Sequence, residues 1–277
     1  MTKKVVCSLA LMAALVSLFS LPAAAQDVRA TSPVPAMTDR VLVPPSAGKW
    51  IAPMLVPRVA TAQPSYCSPC LFYAGDLNPS APNAQGFANE NTQPSVGLSA
   101  TTYPAVHVPA GVNWDVTGLV TNNQSNNGGV LDPMQATWSI SKGVSSGNPG
   151  TTIASGTATA SVGPTGRSVF GFTEYWVSVN FSPVHLNPGG NYWISVVPQC
   201  TSTTDPACSS AEFFLSNTDQ TNAYPAPITG HTGLGFFNSS YFGYDYAPLC
   251  TVSADGCQYS SFGVIGTIGT GGSPSGK

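Results

Sequence analysis

Glu174-Tyr175-Trp176-Val177-Ser178-Val179-Asn180-Phe181 is the stretch on which the reading of the fold turns. Strict alternation sends Tyr175, Val177, Val179 and Phe181 to one side and Glu174, Trp176, Ser178 and Asn180 to the other. A period of two belongs to a β-strand, whereas a helix would mix these two sets on every face. One side is apolar and one carries hydrogen-bonding groups, so the strand sits in a sheet with one face on a core. The same pattern recurs in Trp114–Thr121, with Trp114, Val116 and Val120 on one face, and in Ala136–Ser141, with Trp138 and Ile140 inward. Further strand candidates are Thr151–Ala160, Tyr192–Val197, Phe213–Ser216, Ser240–Tyr246 and Ser260–Ile268, and Leu71–Asp76 reads as a short strand running into a turn. Phe242, Tyr244 and Tyr246 are expected to share one strand face. Between the runs lie the turn signals Asn126–Gly129, Ser146–Gly150, Gly163–Gly166 and Asn187–Gly190. Closely spaced strands with no amphipathic helix between them predict an all-β, antiparallel β-sandwich.

Composition agrees. Charged residues make up 8% of the 277-residue chain, where about 25% is ordinary. Hydrophobic residues still make up 42%, too many for a disordered polyelectrolyte. The scarcity of Lys and Arg excludes a nucleic-acid binder, which must neutralise phosphates. Residues 1–25 read as a signal peptide, with Lys3 and Lys4 before an apolar run from Val5 to Leu21 and Ala23-Ala24-Ala25 as the cleavage site. Residues 26–65 form a Pro- and Ala-rich arm, extended or disordered. Residues 66–268 form the sandwich domain, and 269–277 a flexible Gly/Ser tail. No later run is long enough for a membrane span after signal removal, so the expected location is secreted or periplasmic. A transmembrane barrel is the rival for an exported β protein, but the inward faces carry Trp and Val as a packed core does.

Six cysteines follow the signal: Cys67, Cys70, Cys200, Cys208, Cys250 and Cys257. In an exported chain an even set points to disulfides. Their grouping into close pairs favours Cys67–Cys70, Cys200–Cys208 and Cys250–Cys257 among the connectivities that remain open. Cys67-Ser68-Pro69-Cys70 also fits the Cys-x-x-Cys redox pattern, but it leads into a strand rather than opening a helix in a βαβ unit.

Ala136-Thr137-Trp138-Ser139-Ile140, then Gly147-Asn148-Pro149-Gly150, then Ile153-Ala154-Ser155-Gly156, and finally Leu186-Asn187-Pro188-Gly189-Gly190-Asn191-Tyr192-Trp193 come in this order. The series resembles the jelly-roll-like β-sandwich domains of exported bacterial proteins, which are often found with C-terminal sorting anchors and mostly have no established activity. The resemblance covers roughly residues 112–197 and implies a jelly-roll-like fold. It brings no catalytic residue, and this chain shows no sorting tail.

Two sites are nominated by residue type. An indole on a polar strand face, flanked by Glu174, Ser178 and Asn180, has the make-up of a sugar-stacking platform at Trp176. The alternative is that a loop or the 26–65 arm covers it. Asp76, Asn78 and Glu90 bracket a loop rich in side-chain oxygens and are the candidate ligands of a structural calcium ion, although Asn and Asp also serve turns. Catalysis finds little footing. Glu90, Glu174 and Glu212 form no paired motif, and His107, His185 and His231 are scattered without a nucleophile elbow. The expectation is a non-catalytic binding or adhesion module, with a glycan or a cell-envelope component as partner. The rivals are a polysaccharide hydrolase using Glu174 and a purely structural envelope protein.

Overall fold

Strand β10 (Phe172–Leu186), built around Val177, is the second strand from one edge of the first of two sheets. In this computed structural model the described residues are 63–81, 84–93, 98–126, 135–199, 211–225, 235–253 and 258–269. The expected signal peptide, nearly all of the arm and residues 270–277 lie outside them.

The first sheet has the order β1 (Cys70–Tyr73), β16 (Phe262–Gly269), β6 (Asn113–Ser125), β10, β9 (Ser161–Val169). At the C-terminal end of β6 it gains β12 (Phe213–Thr218), with β2 (Gly86–Ala88) and β15 (Tyr259–Ser260) paired to β12. The second sheet runs β14 (Tyr244–Pro248), β13 (Phe236–Ser239), β4 (Leu98–Tyr103), β3 (Glu90–Gln93), β11 (Asn191–Gln199), β7 (Gln135–Lys142), β8 (Thr151–Thr159), with β5 (Ala105–His107) on β11. Pairing is antiparallel apart from one parallel contact between β11 and β3. The chain is an all-β sandwich. No helix among the described residues is long and apolar enough to cross a membrane.

Apart from one shift within β6, the core between the sheets is the one that alternation predicts. Trp114, Val116, Leu119, Val177, Val179, Phe262 and Val264 from the first sheet meet Ile140, Tyr192, Ile194 and Val196 from the second. Trp138 of β7 stacks on Phe181 of β10 at 3.8 Å between ring centres. Each such side chain, fully buried, contributes roughly 1.5–3 kcal/mol relative to exposure.

Three local expectations are corrected. Gly163–Gly166 is not a turn but part of β9, which pairs with β10 at Trp176↔Gly163 and Tyr175↔Pro164. An edge strand tolerates Pro164 because its missing donor is not needed there. Ser240–Tyr246 is not one strand. Residues 240–243 turn between β13 and β14, helped by Gly243 at φ +73°, and Phe242 packs on Phe237 from within the turn. In β6, Gly118 pairs with Ile265 and Val116 with Gly266, so Thr117 is an extra residue. This bulge flips the remainder of the strand: Leu119 takes the inner face, and Val120, expected beside Val116, goes to the outer one.

Candidate functional site

The outer face of β10 carries Glu174, Trp176 and Ser178, with Gln124, Asn122 and Val120 opposite them on β6. Sequence alone leaves this face wet. Instead the chain from Gln63 to Cys70 crosses it before entering β1. Tyr66 stacks on Trp176, ring centres 5.7 Å apart and planes within 12°. The indole packs on Gly163, where a Cβ would come within 2.7 Å of the ring. Cys67, Cys70 and Tyr73 join Val120 and Ile265 in a second apolar cluster, separate from the sandwich core.

A charged network ties this layer down. Arg167 of β9 reaches Glu174 Oε2 through Nε at 2.6 Å and Asp76 Oδ2 through Nη1 at 3.1 Å. Thr165 Oγ1 donates to Glu174 Oε2 at 2.7 Å. Asp76 Oδ1 accepts from the Tyr73 hydroxyl at 2.6 Å, and Asp76 Oδ2 from Asn222 Nδ2 at 2.8 Å. Asn122 Nδ2 donates to the Tyr73 hydroxyl at 2.6 Å and to Ser261 Oγ at 2.8 Å. Burial works against the Arg167 charge, but Glu174, the Tyr66 hydroxyl and Asp76 outweigh it and hold the guanidinium more firmly protonated than usual. Burial, and then the neighbouring Tyr66 and Asp76, push the Tyr73 hydroxyl well above its ordinary value. A fully buried carboxylate such as Glu174 is tolerable because a cation and a hydroxyl meet it.

The Cys67–Cys70 disulfide is formed as the spacing predicts. Both cysteines are buried, which leaves little access for thiol exchange. Gly263 makes room for it, since a Cβ there would meet Cys67 Sγ at 2.8 Å. Gln63 brackets Cys70 with its side-chain amide, accepting from the backbone N–H at 3.2 Å and donating to the carbonyl at 3.4 Å. Cys250 is also disulfide-bonded. Its expected partner Cys257, like Cys200 and Cys208, lies outside the described residues.

The remaining nominated residues fall as follows. Ser178 is buried on the same face, and Asn180 is exposed beyond the covered part. Asp76 is engaged by Arg167, Tyr73 and Asn222. Asn78 is half-buried, donating to Asp219 and accepting the Ser80 N–H. Glu90 is buried and accepts the Phe213 N–H at 3.1 Å. Among the described residues no three His, Cys, Asp or Glu side chains form a group able to hold a metal ion. His107 bonds to Asn191 on the second sheet and His185 to Asp115 on the first, and His231 lies outside the described residues.

Arg167 is the organising residue that the sequence reading passed over. One signal was present: Lys142 and Arg167 are the only bases between residues 66 and 268. A base that rare, on a strand two residues from Thr165, asks for a buried acid. No protein-family model matches the chain, and no curated protein is similar to it at a significant level.

Proposed function

We propose that the chain is an exported, non-catalytic β-sandwich that serves as a structural module outside the cytoplasm. The observation that carries this reading is that the residues best suited to a ligand or to chemistry are spent on packing. Trp176 is stacked by Tyr66 and seated on Gly163, so a sugar ring has no free indole face to lie on. Glu174 has no exposed surface and is paired with Arg167, whereas a glycosidase carboxylate must reach the scissile bond. Export is supported by the basic, apolar and small-residue series of residues 1–25 and by the closed Cys67–Cys70 bridge.

The test is to incubate the purified mature protein with a panel of soluble and insoluble polysaccharides. The expected outcome is neither retention nor release of reducing ends, with the mature chain beginning at Gln26. Reducing ends lost in Glu174→Gln would restore the hydrolase. Retention lost in Trp176→Ala at temperatures where that variant stays folded would restore the glycan-binding module.

A further inference from the structure

The main paths of the two sheets end on four strands, and three of them are blocked against further pairing. β1 is closed by the Gln63 amide and by bridges from Tyr73 to Tyr224 and from Asp76 to Thr221. β9 carries Pro164, Arg167 and Gly166 at φ +83°, features that remove a donor, add a charge and twist the edge. β14 is short, holds Asp245 and Tyr246 at φ +43°, and gives its Asp245 carbonyl to the Gly147 N–H. β8 differs. Thr151-Thr152-Ile153-Ala154-Ser155-Gly156-Thr157-Ala158-Thr159 has no charge and no proline, and it pairs along its length with β7. Among the described residues nothing pairs with its other side. Ile153 is one of the few large apolar side chains left exposed. A long, neutral, open edge presents a row of backbone donors and acceptors for another strand.

We propose that β8 is a self-association edge, at which a second copy of this chain adds its own β8 antiparallel about a two-fold axis at Ser155. Two features select this occupant. The arm of residues 26–62 is broken by Pro33, Pro35, Pro44, Pro45, Pro53 and Pro57 and carries charges of both signs, so it makes a poor nine-residue donor. The described chain also begins at Gln63 against β1, at the far edge of the first sheet from β9, which β8 leads into. β8 is close to self-complementary. The two-fold sets Ile153 against Thr157, Ala154 against Gly156 and Thr151 against Thr159, and no like charges meet. The outward row Ser155, Thr157 then continues Ser139 and Thr137 of β7 across the seam.

Sedimentation of the full mature protein tests this. A monomer–dimer equilibrium in the micromolar range is expected. Ser155→Lys, which sets two ammonium groups against each other on the axis, should weaken association by about tenfold or more without changing the melting temperature. Ser155→Thr should leave association intact. A protein that stays monomeric across that range overturns the proposal, as does a dimer that Ser155→Lys leaves untouched. Slow amide exchange along the open side of β8 in a monomer would assign the edge to the chain's own arm and also overturn it.

Discussion

Trp138 and Trp176 do the same thing in different layers of the molecule. Each stands next to the outermost strand of its sheet and lays its indole on a glycine of that strand, Gly156 under Trp138 and Gly163 under Trp176. Trp138 points between the sheets and is covered by Phe181, while Trp176 points away from them and is covered by Tyr66. The inner site is closed by another strand of the sandwich, using apolar contact alone. The outer site is closed by residues from before the first strand, and it needs Arg167, Glu174 and Asp76 as well as aromatic stacking. The first sheet therefore buries both faces along part of its width, the inner one with hydrocarbon and the outer one with a mixed ionic layer. Such layers differ in how they fail: hydrocarbon cores weaken gradually with lost volume, whereas buried charges fail steeply when one partner goes.

The sharpest break of this symmetry is Arg167→Met. It strands Glu174 and Asp76 in the outer layer without a cation, and should cost about 3–5 kcal/mol in chemical denaturation. Adding Glu174→Gln to that variant should return part of the loss, because the buried charge is removed with its partner. Next come the two glycines. Gly163→Ala brings a Cβ within 2.7 Å of an indole held by Tyr66, against 3.2 Å for Gly156→Ala at Trp138. The former should cost between about 1 and 3 kcal/mol and the latter less, as read from thermal melts. Replacing Cys67 and Cys70 together by serine should cost about 2 kcal/mol from the lost short loop constraint. Proteolysis should then cut the chain near residue 68 before it cuts the sandwich. The smallest effect is alkaline. Tyr73 has its pKa raised in the folded protein, so its contribution is complete below the ordinary tyrosine value of about 10 and is lost as pH rises above it. Melting temperature should accordingly fall above that pH, and by less in Tyr73→Phe.

The inner core could be read from the chain because each strand announces its own buried face. Val177, Val179, Trp138 and Ile140 needed no knowledge of their neighbours. The outer layer could not be read that way: alternation places Trp176 on the second face but does not say that Tyr66, far back in sequence, lies on it. Glu174 shows the same limit, since a carboxylate on a polar face looks identical whether solvent or Arg167 meets it. β9 was misread because glycine and proline serve both turns and edge strands, and what decides between them here is the space Trp176 needs above Gly163. The bulge at Thr117 has no local mark beyond the neighbouring Gly118, yet it moves Val120 from the expected inner face to the outer cluster.

Hydroxyl-radical footprinting of the mature protein, read residue by residue by mass spectrometry, tests the covered outer face most directly. Phe170, 71% exposed, should be modified rapidly, while Tyr73 is protected and partly buried Trp176 reacts far more slowly than an open indole until Arg167 is replaced by Met. Modification of Trp176 in the wild-type protein at the rate of an open indole would contradict the account.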